Sequence, residues 1–186
     1  MSEYALAKLV EAFEIMVAGD TKESKDARYK LGEYPYIALA PSRFEDQLKI
    51  VAGMFDREHD ITFVDVGCGL GTKLVLARHT AGIRYVVGIE KHPKYVRLAK
   101  KLLRGSGAVI IKGDALDMDY GQYDIIYFYC PLRDHLKQQT LEARIIETMK
   151  PGAFVMAHLK QSGNERWTTP PMRRVWGDTI YQKEIK

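Results

Sequence analysis

Four constellations in this sequence hold residue types that could do chemistry. The first is Asp65 followed by Gly67-Cys68-Gly69-Leu70-Gly71. Alternating glycines between a β-rich run and a helical one let a backbone approach a ligand closely and aim helix N–H groups at it. A tight turn with no ligand is the bland alternative, and three glycines are entropically costly for a turn alone. The second is Glu90, which ends another β-rich run 19 positions after Gly71. A carboxylate there can accept both hydroxyls of a ribose. The third is Gly113-Asp114-Ala115, with Asp117 and Asp119 close by, so that a plain acidic turn competes with a binding role. The fourth is Tyr129-Cys130-Pro131-Leu132, accompanied by His135 and His158. No nucleophile–base pair of the covalent-catalysis kind stands out, and no Cys/His cluster has zinc spacing. A metal site is not expected.

These groups need elements to position them. Ile61 to Val66 reads as a buried parallel strand and Lys73 to His79 as the helix after the glycine loop. Arg84 to Ile89 is a second strand, with Pro93 opening a helix to Arg104. Lys94, Arg97, Lys100, Lys101 and Arg104 make one side of that helix basic. Such a stripe could touch phosphates, although a solvated face is the commoner fate. Ala108 to Ile111 and Ile125 to Tyr129 follow as strands, Leu136 to Met149 as a helix stopped by Lys150-Pro151-Gly152, and Ala153 to Leu159 as a fifth strand. Ahead of the core, Leu6, Leu9, Val10, Phe13, Met16 and Val17 recur at helical spacing, from a Ser2 cap to a Gly19 stop. Asp20 to Lys30 is a short exposed helix or a link, and Tyr34-Pro35-Tyr36 opens an extended segment. Ser42-x-x-Glu45 reads as a capping box for a helix carrying Phe44, Leu48, Val51 and Phe55. Gln161 to Arg174 reads as a loop, and Thr179 to Ile185 as one last strand.

Strands alternating with helices specify an α/β fold, a doubly wound and mostly parallel sheet with helices on both faces. At 186 residues one domain is the expectation. It divides into an N-terminal helical extension (1–56), a cofactor-binding core (57–160), and a tail loop with the last strand (161–186). Hydrophobic residues at 46% and charged residues at 28% place the chain among ordinary soluble globular sequences. Two cysteines cannot make a disulfide framework, which points to a reducing, cytoplasmic setting. No apolar run approaches a membrane span. A net charge of +4 permits an anionic partner without demanding one.

The glycine loop separates ligand families. A dinucleotide fingerprint is Gly-x-Gly-x-x-Gly, and here the third glycine comes one residue early. A P-loop ends in Gly-Lys-Ser/Thr, whereas Gly71-Thr72-Lys73 has the wrong order. The stretch resembles motif I of the class I S-adenosylmethionine-dependent methyltransferases: an acid, one residue, then Gly-x-Gly-x-Gly. Glu90, Gly113-Asp114-Ala115, the strand ending in an aromatic-x-Pro, and the Lys-Pro-Gly turn follow in that family's order. The resemblance covers about two-thirds of the chain, with no match in the first thirty residues or the tail. It implies S-adenosyl-L-methionine as cofactor, held by Asp65, Gly67, Cys68, Gly69, Gly71, Glu90, Lys91, Asp114, Ala115 and Tyr129. Asp65 would orient the loop, Glu90 hold the ribose and Asp114 the adenine amino group. The family's sheet has seven strands, and with only one clear strand in the tail the terminal hairpin is expected to be reduced.

The acceptor is less legible. Amino-directed DNA methyltransferases carry Asn or Asp, then Pro-Pro and an aromatic residue, where this chain has Tyr129-Cys130-Pro131-Leu132. Cytosine-carbon enzymes place a nucleophilic cysteine after a proline, but Cys130 precedes Pro131, so Cys130 reads as packing. Tyr34, Tyr36, Cys130, Pro131, Leu132, His135, His158 and Trp167 are the candidate substrate-pocket residues. The pre-core Tyr-Pro-Tyr segment looks somewhat like seven-strand protein-lysine methyltransferases. The reading therefore leans to a protein lysine or other amine, with a small molecule or RNA open and no sequence-specific DNA binding or membrane partner expected. Two other classes stay in view: a nicotinamide-dependent oxidoreductase, and a non-catalytic S-adenosylmethionine-binding module.

Overall fold

A computed structural model describes Val10 and residues 40–185. The sequence readings for the first helix, the 20–30 link and Tyr34-Pro35-Tyr36 lie outside the described residues. Helix α1 spans Pro41–Ala52 and buries Phe44, Leu48 and Val51 on one face. It does not start at the expected Ser42 capping box. Ala40 is its N-cap, without a side-chain cap hydrogen bond, and Pro41 occupies the first turn. Proline's fixed φ suits that position, and its missing N–H removes a donor that a helix start cannot satisfy internally.

From there strands and helices alternate. β1 is Ile61–Val66, α2 Thr72–Arg78, β2 Ile83–Glu90, α3 Pro93–Leu102 and β3 Val109–Lys112. After a 3₁₀ turn at Ala115–Asp117 come β4 Ile125–Tyr129, α4 His135–Thr148, β5 Phe154–His158, α5 Asn164–Thr168, β6 Met172–Trp176 and β7 Ile180–Lys183. The seven strands form one sheet in the order β3-β2-β1-β4-β5-β7-β6. The first five strands pair in parallel, and β7 runs antiparallel to both β5 and β6. Among the described residues no helix is long and apolar enough to cross a membrane.

Side-chain alternation along the strands sorts the core into two layers. Phe63, Ile125, Tyr127, Phe154 and Met156 pack with α1, α2 and α3. Val64, Val66, Ile126, Phe128 and Val155 pack with Leu141 and Ile145 of α4 and Trp167 of α5. Covered on both faces, the strands are apolar almost throughout, which is why they were readable as short continuous runs.

The terminal hairpin corrects an expectation. Both of its strands form, and the segment read as a loop to Arg174 contains α5 and the start of β6. β6 is the sheet edge, where Met172 is buried while Arg173, Arg174 and Trp176 are exposed. Charged side chains are how an edge strand resists further pairing, and they also hide its period from the sequence.

The amino ends of the central strands are joined at Asp124, which is buried. Its carboxylate accepts from Thr62 N (2.8 Å), from His59 Nε2 (3.0 Å) and from Lys150 Nζ (2.7 Å). Its backbone bonds Thr62 O and Phe154 N, so β1, β4 and β5 all start against this residue. Burial alone would raise the carboxyl's pKa. Lys150, the Thr62 N–H and His59 outweigh it and hold the group below its ordinary value. Asp124→Asn is expected to cost about 2–3 kcal/mol at neutral pH, since it leaves charged and N–H donors facing a weaker acceptor. Because the folded-state pKa is depressed, the carboxylate's contribution is complete above the unfolded value of about 3.9 and is lost as pH falls through the folded one. Urea unfolding at pH 7 and pH 3 checks both points: the wild-type advantage over the variant should shrink at the lower pH.

Candidate functional site

Parallel pairing carries Val66, Glu90, Lys112, Tyr129 and His158 to the same end of the sheet, with Glu90 in register with Lys112 and Tyr129 with His158. In open α/β sheets ligands bind in the crevice beyond the carboxyl ends of the strands. All four constellations named from the sequence therefore meet at one edge.

The glycine loop is held from two sides. Gly67 N and Cys68 N donate to Ile89 O at 2.9 and 3.0 Å. Gly69 N donates to Glu90 Oε2 at 2.9 Å, and His92 N to Glu90 Oε1 at 2.7 Å. Glu90 is 3% exposed, so a buried carboxylate fastens the β1–α2 turn to the β2–α3 turn. Gly67, Gly69 and Gly71 have φ of 78°, 56° and 78°, which side chains rarely adopt. Gly67 has a packing reason as well: a Cβ on it would lie 2.6 Å from Pro131 Cβ. The loop after β1 thus abuts the loop after β4. Cys68 is also a packing residue, since a Cβ on Gly88 would lie 2.6 Å from its Sγ. Asp65 is buried in β1, in register with Gly88 and Tyr127 on its two sides.

At the next strand end Asp114 caps the 3₁₀ turn. Its Oδ1 accepts from Leu116 N at 3.1 Å and its Oδ2 from Lys91 Nζ at 2.8 Å. Burial pushes this carboxyl up, but Lys91, the Leu116 N–H and Lys137 bring its pKa below the ordinary value. The adjacent Ala115 is fixed by the buried Tyr120, whose hydroxyl donates to Ala115 O at 2.8 Å. Burial raises the Tyr120 pKa, keeping that hydroxyl a donor.

The fourth constellation is neutral. Tyr129 stacks on His158 with ring centroids 5.8 Å apart and planes 11° from parallel. His158 is buried and its Nε2 lies 2.8 Å from Gln47 Oε1, while Gln47 Nε2 donates to Thr179 Oγ1 at 3.2 Å. Burial, together with the positive charges of Arg43, Lys160 and Lys73, lowers the His158 pKa to about 4. The ring is therefore neutral at physiological pH and a poor general base. Cys130 has φ of 38° and lies 3.7 Å from Leu132 O and 3.8 Å from Gln161 Nε2. Burial pushes its thiol pKa up, away from the thiolate that a nucleophile needs.

A buried relay sets the two loops around this end. Leu132 N donates to Gln138 Oε1 (3.2 Å), and Gln138 Nε2 donates to Glu142 Oε1 (3.0 Å). Glu142 also accepts from Gln161 N (2.7 Å) and Ser162 N (2.8 Å). Both side chains on α4 are fully buried. Sequence reasoning missed Glu142, Gln138, Gln47 and Tyr120. A signal existed for three: Gln47 shares the helical face of Phe44, Leu48 and Val51, and Gln138 and Glu142 share that of Leu141 and Ile145. A polar residue on an apolar stripe needs buried partners.

Two candidate pocket residues change place. Trp167 is fully buried against Phe128 and Tyr181, in the core layer under α4 and α5, so it is no pocket wall. Its bulk supplies packing where the tail crosses the sheet. His158 lies at the right end but is buried, stacked behind Tyr129. His135 stands exposed in the first turn of α4, after the Asp134 cap. Pro131 and Leu132 are half-buried at the mouth. Tyr34 and Tyr36 lie outside the described residues.

A family model described as a methyltransferase domain matches residues 57–184. Among solved structures, the chain is similar to an RNA methyltransferase from Salinibacter ruber in complex with S-adenosyl-L-homocysteine, with a TM-score of 0.57 and 22% identity over 80% of this chain and 95% of that one. It is also similar to the StiE O-MT segment 961–1257, with a TM-score of 0.52 and 17% identity over 73% of this chain and 53% of that one. At these identities the likeness is one of fold. No curated protein matches the sequence.

The relay and the histidine each make a prediction. Glu142→Ala leaves several buried N–H donors unpaired and is expected to cost about 3 kcal/mol. In a Cys68→Ala background it should also raise the rate at which Cys130 reacts with an aromatic disulfide by at least about tenfold, because the 159–162 loop is no longer held over the thiol. His158 is neutral when folded and has an unfolded pKa near 6.5. The folded state is therefore favoured fully above about pH 6.5 and loses roughly 1.4 kcal/mol per unit as pH falls towards 4. Denaturation midpoints across that range should show this slope in the wild type and a shallower one in His158→Gln.

Proposed function

Because this chain belongs to the class I S-adenosylmethionine-dependent methyltransferases, we propose that its acceptor is an amine nitrogen, in the first place a protein lysine. The observation that carries this reading is the character of the β4–β5 end. The Tyr129 ring is backed by a neutral imidazole, so its stacking partner adds no positive charge of its own behind an alkylammonium at the free face. Leu136 and Leu159 stand 75% and 56% exposed after these strands, an apolar rim suited to a polypeptide. An amine also needs the least from the protein, since its own lone pair attacks once it is deprotonated.

Asp114 uses two acceptor positions on Leu116 and Lys91, and a carboxylate offers about four, so an adenine amino group fits beside them. In the proposed site Glu90 accepts ribose hydroxyls, Ala115 N–H meets a ring nitrogen, and Lys91 covers the adenine end. The backbone from Gly67 to Gly71, with Asp65 and Cys68, lines the methionine end. Tyr129, Pro131 and Leu132 border the transferred methyl. The bound cofactor supplies a methyl group on a positively charged sulfur, already a good leaving group. The chain's own task is then to align the acceptor and exclude water around the methyl group, the amine having lost its proton to solvent before its lone pair attacks the methyl carbon and the C–S bond breaks.

Thermal unfolding with S-adenosylhomocysteine at a hundredfold over its dissociation constant should add about 2.7 kcal/mol, a shift of roughly 5–10 °C. Glu90→Gln and Asp114→Asn should each weaken that binding about 10–100-fold. NAD should give no shift. With radiolabelled S-adenosylmethionine and cell lysate, label should appear in protein and be recovered as methyl-lysine after hydrolysis, at a rate rising with pH with no inflection near 6.5. Label confined to RNA or to small molecules would overturn the lysine reading while leaving the enzyme class intact.

A further inference from the structure

Charge is sorted along this chain well beyond the one cation, Lys91, that the proposed cofactor site uses. Residues 91–113 hold seven of the 28 lysines and arginines and none of the 24 acidic residues, so the remainder of the chain is net −3. An ordinary solvated surface intersperses the two signs. The segment carries α3 and β3, and β3 is the edge strand opposite β6, paired among the described residues with β2 alone. Arg97, Lys100, Lys101, Arg104 and Lys112 are all exposed, and none forms an ion pair among the described residues.

These cations rim a groove. One cavity of about 470 Å³ is lined by Pro93, Val96, Arg97, Lys101 and Lys112, and a second of about 730 Å³ by Leu103, Gly105, Val109 and Ile110. Both include Lys100 and Arg104, so the two are continuous along α3. The groove starts at Lys112, two residues before Asp114, and passes down the sheet edge away from the strand ends. Its floor is apolar and its rim cationic. Nucleotide strands bind such grooves by adding aromatic platforms for their bases. Among the described residues neither cavity is lined by a Phe, Tyr or Trp, and Tyr95 of the segment is 3% exposed, so the lining itself offers no platform. Alternating carboxylates and apolar side chains on an extended segment match both rim and floor, and the unpaired edge of β3 can accept such a segment as an added strand.

We propose that the α3–β3 groove docks an acidic, amphipathic segment of the protein substrate, outside the residue that receives the methyl group. This rests on the protein-acceptor reading above. The probe is a labelled twelve-residue peptide of alternating glutamate and leucine, followed by fluorescence anisotropy on the full chain, with an oligo(U) RNA of equal length as competitor. Peptide binding should weaken with salt and fall at least about tenfold in the double variant Arg97→Glu/Lys101→Glu. A milder Arg97→Gln/Lys101→Gln pair should fall in between, and both should keep the wild-type shift with S-adenosylhomocysteine. Unchanged peptide affinity in both variants overturns the proposal, as does RNA binding tighter than the peptide. Methyl-lysine formation without peptide binding would refute the groove alone, whereas peptide binding without methyl-lysine would refute the acceptor.

Discussion

A single buried carboxylate organises the working edge of this protein. Glu90 accepts from Gly69 N and from His92 N, so two turns whose donors are 23 residues apart in sequence share one negative charge. A carboxylate this buried is tolerable only with such donors, and the donors are backbone groups that two tight turns leave unpaired. The left-handed glycines follow from this, because the loop must turn sharply to present Gly69 N–H. Pro131 then sits where a Gly67 side chain would be, which fixes the β4 loop relative to the β1 loop.

The two ends of the sheet divide the labour. At the amino ends, Asp124 gathers Thr62, His59 and Lys150 into a cluster whose contribution is structural. At the carboxyl ends Asp114 is partly open, while Glu90, Glu142 and Gln138 are buried among the loops they hold. Rigid support below and exposed groups above is the usual condition for a precise binding site.

The chemistry of the site is conspicuous for restraint. His158 is neutral, the Cys130 thiol is pushed away from its thiolate form, and Glu90 holds two turns together. Transfer of a methyl group from a sulfonium calls for alignment and a dry pocket more than for proton shuttling. The positive charge of the molecule is instead gathered on the α3–β3 segment, which holds seven Lys and Arg and no acidic residue.

Local sequence determined much of this protein. The strands β1 to β5 were legible because each is buried on both faces, and the glycine loop, Glu90 and Asp114 because their chemistry is tied to strand ends. Family order then implied the cofactor. What the tertiary structure alone decided are the facts that depend on pairing between distant segments. Met172–Trp176 is a strand because Ile180–Lys183 bonds it to the sheet, and its charged edge gives no period to read. Trp167 is core, not pocket, because the tail folds across Phe128 and Tyr181. Gly67 needs its missing side chain because Pro131 arrives from 64 residues away. His158 is neutral because Gln47, 111 residues earlier, and three cations surround it. A residue type announces what it can do; the burial and the neighbours that select one of those roles are set only when the chain closes on itself.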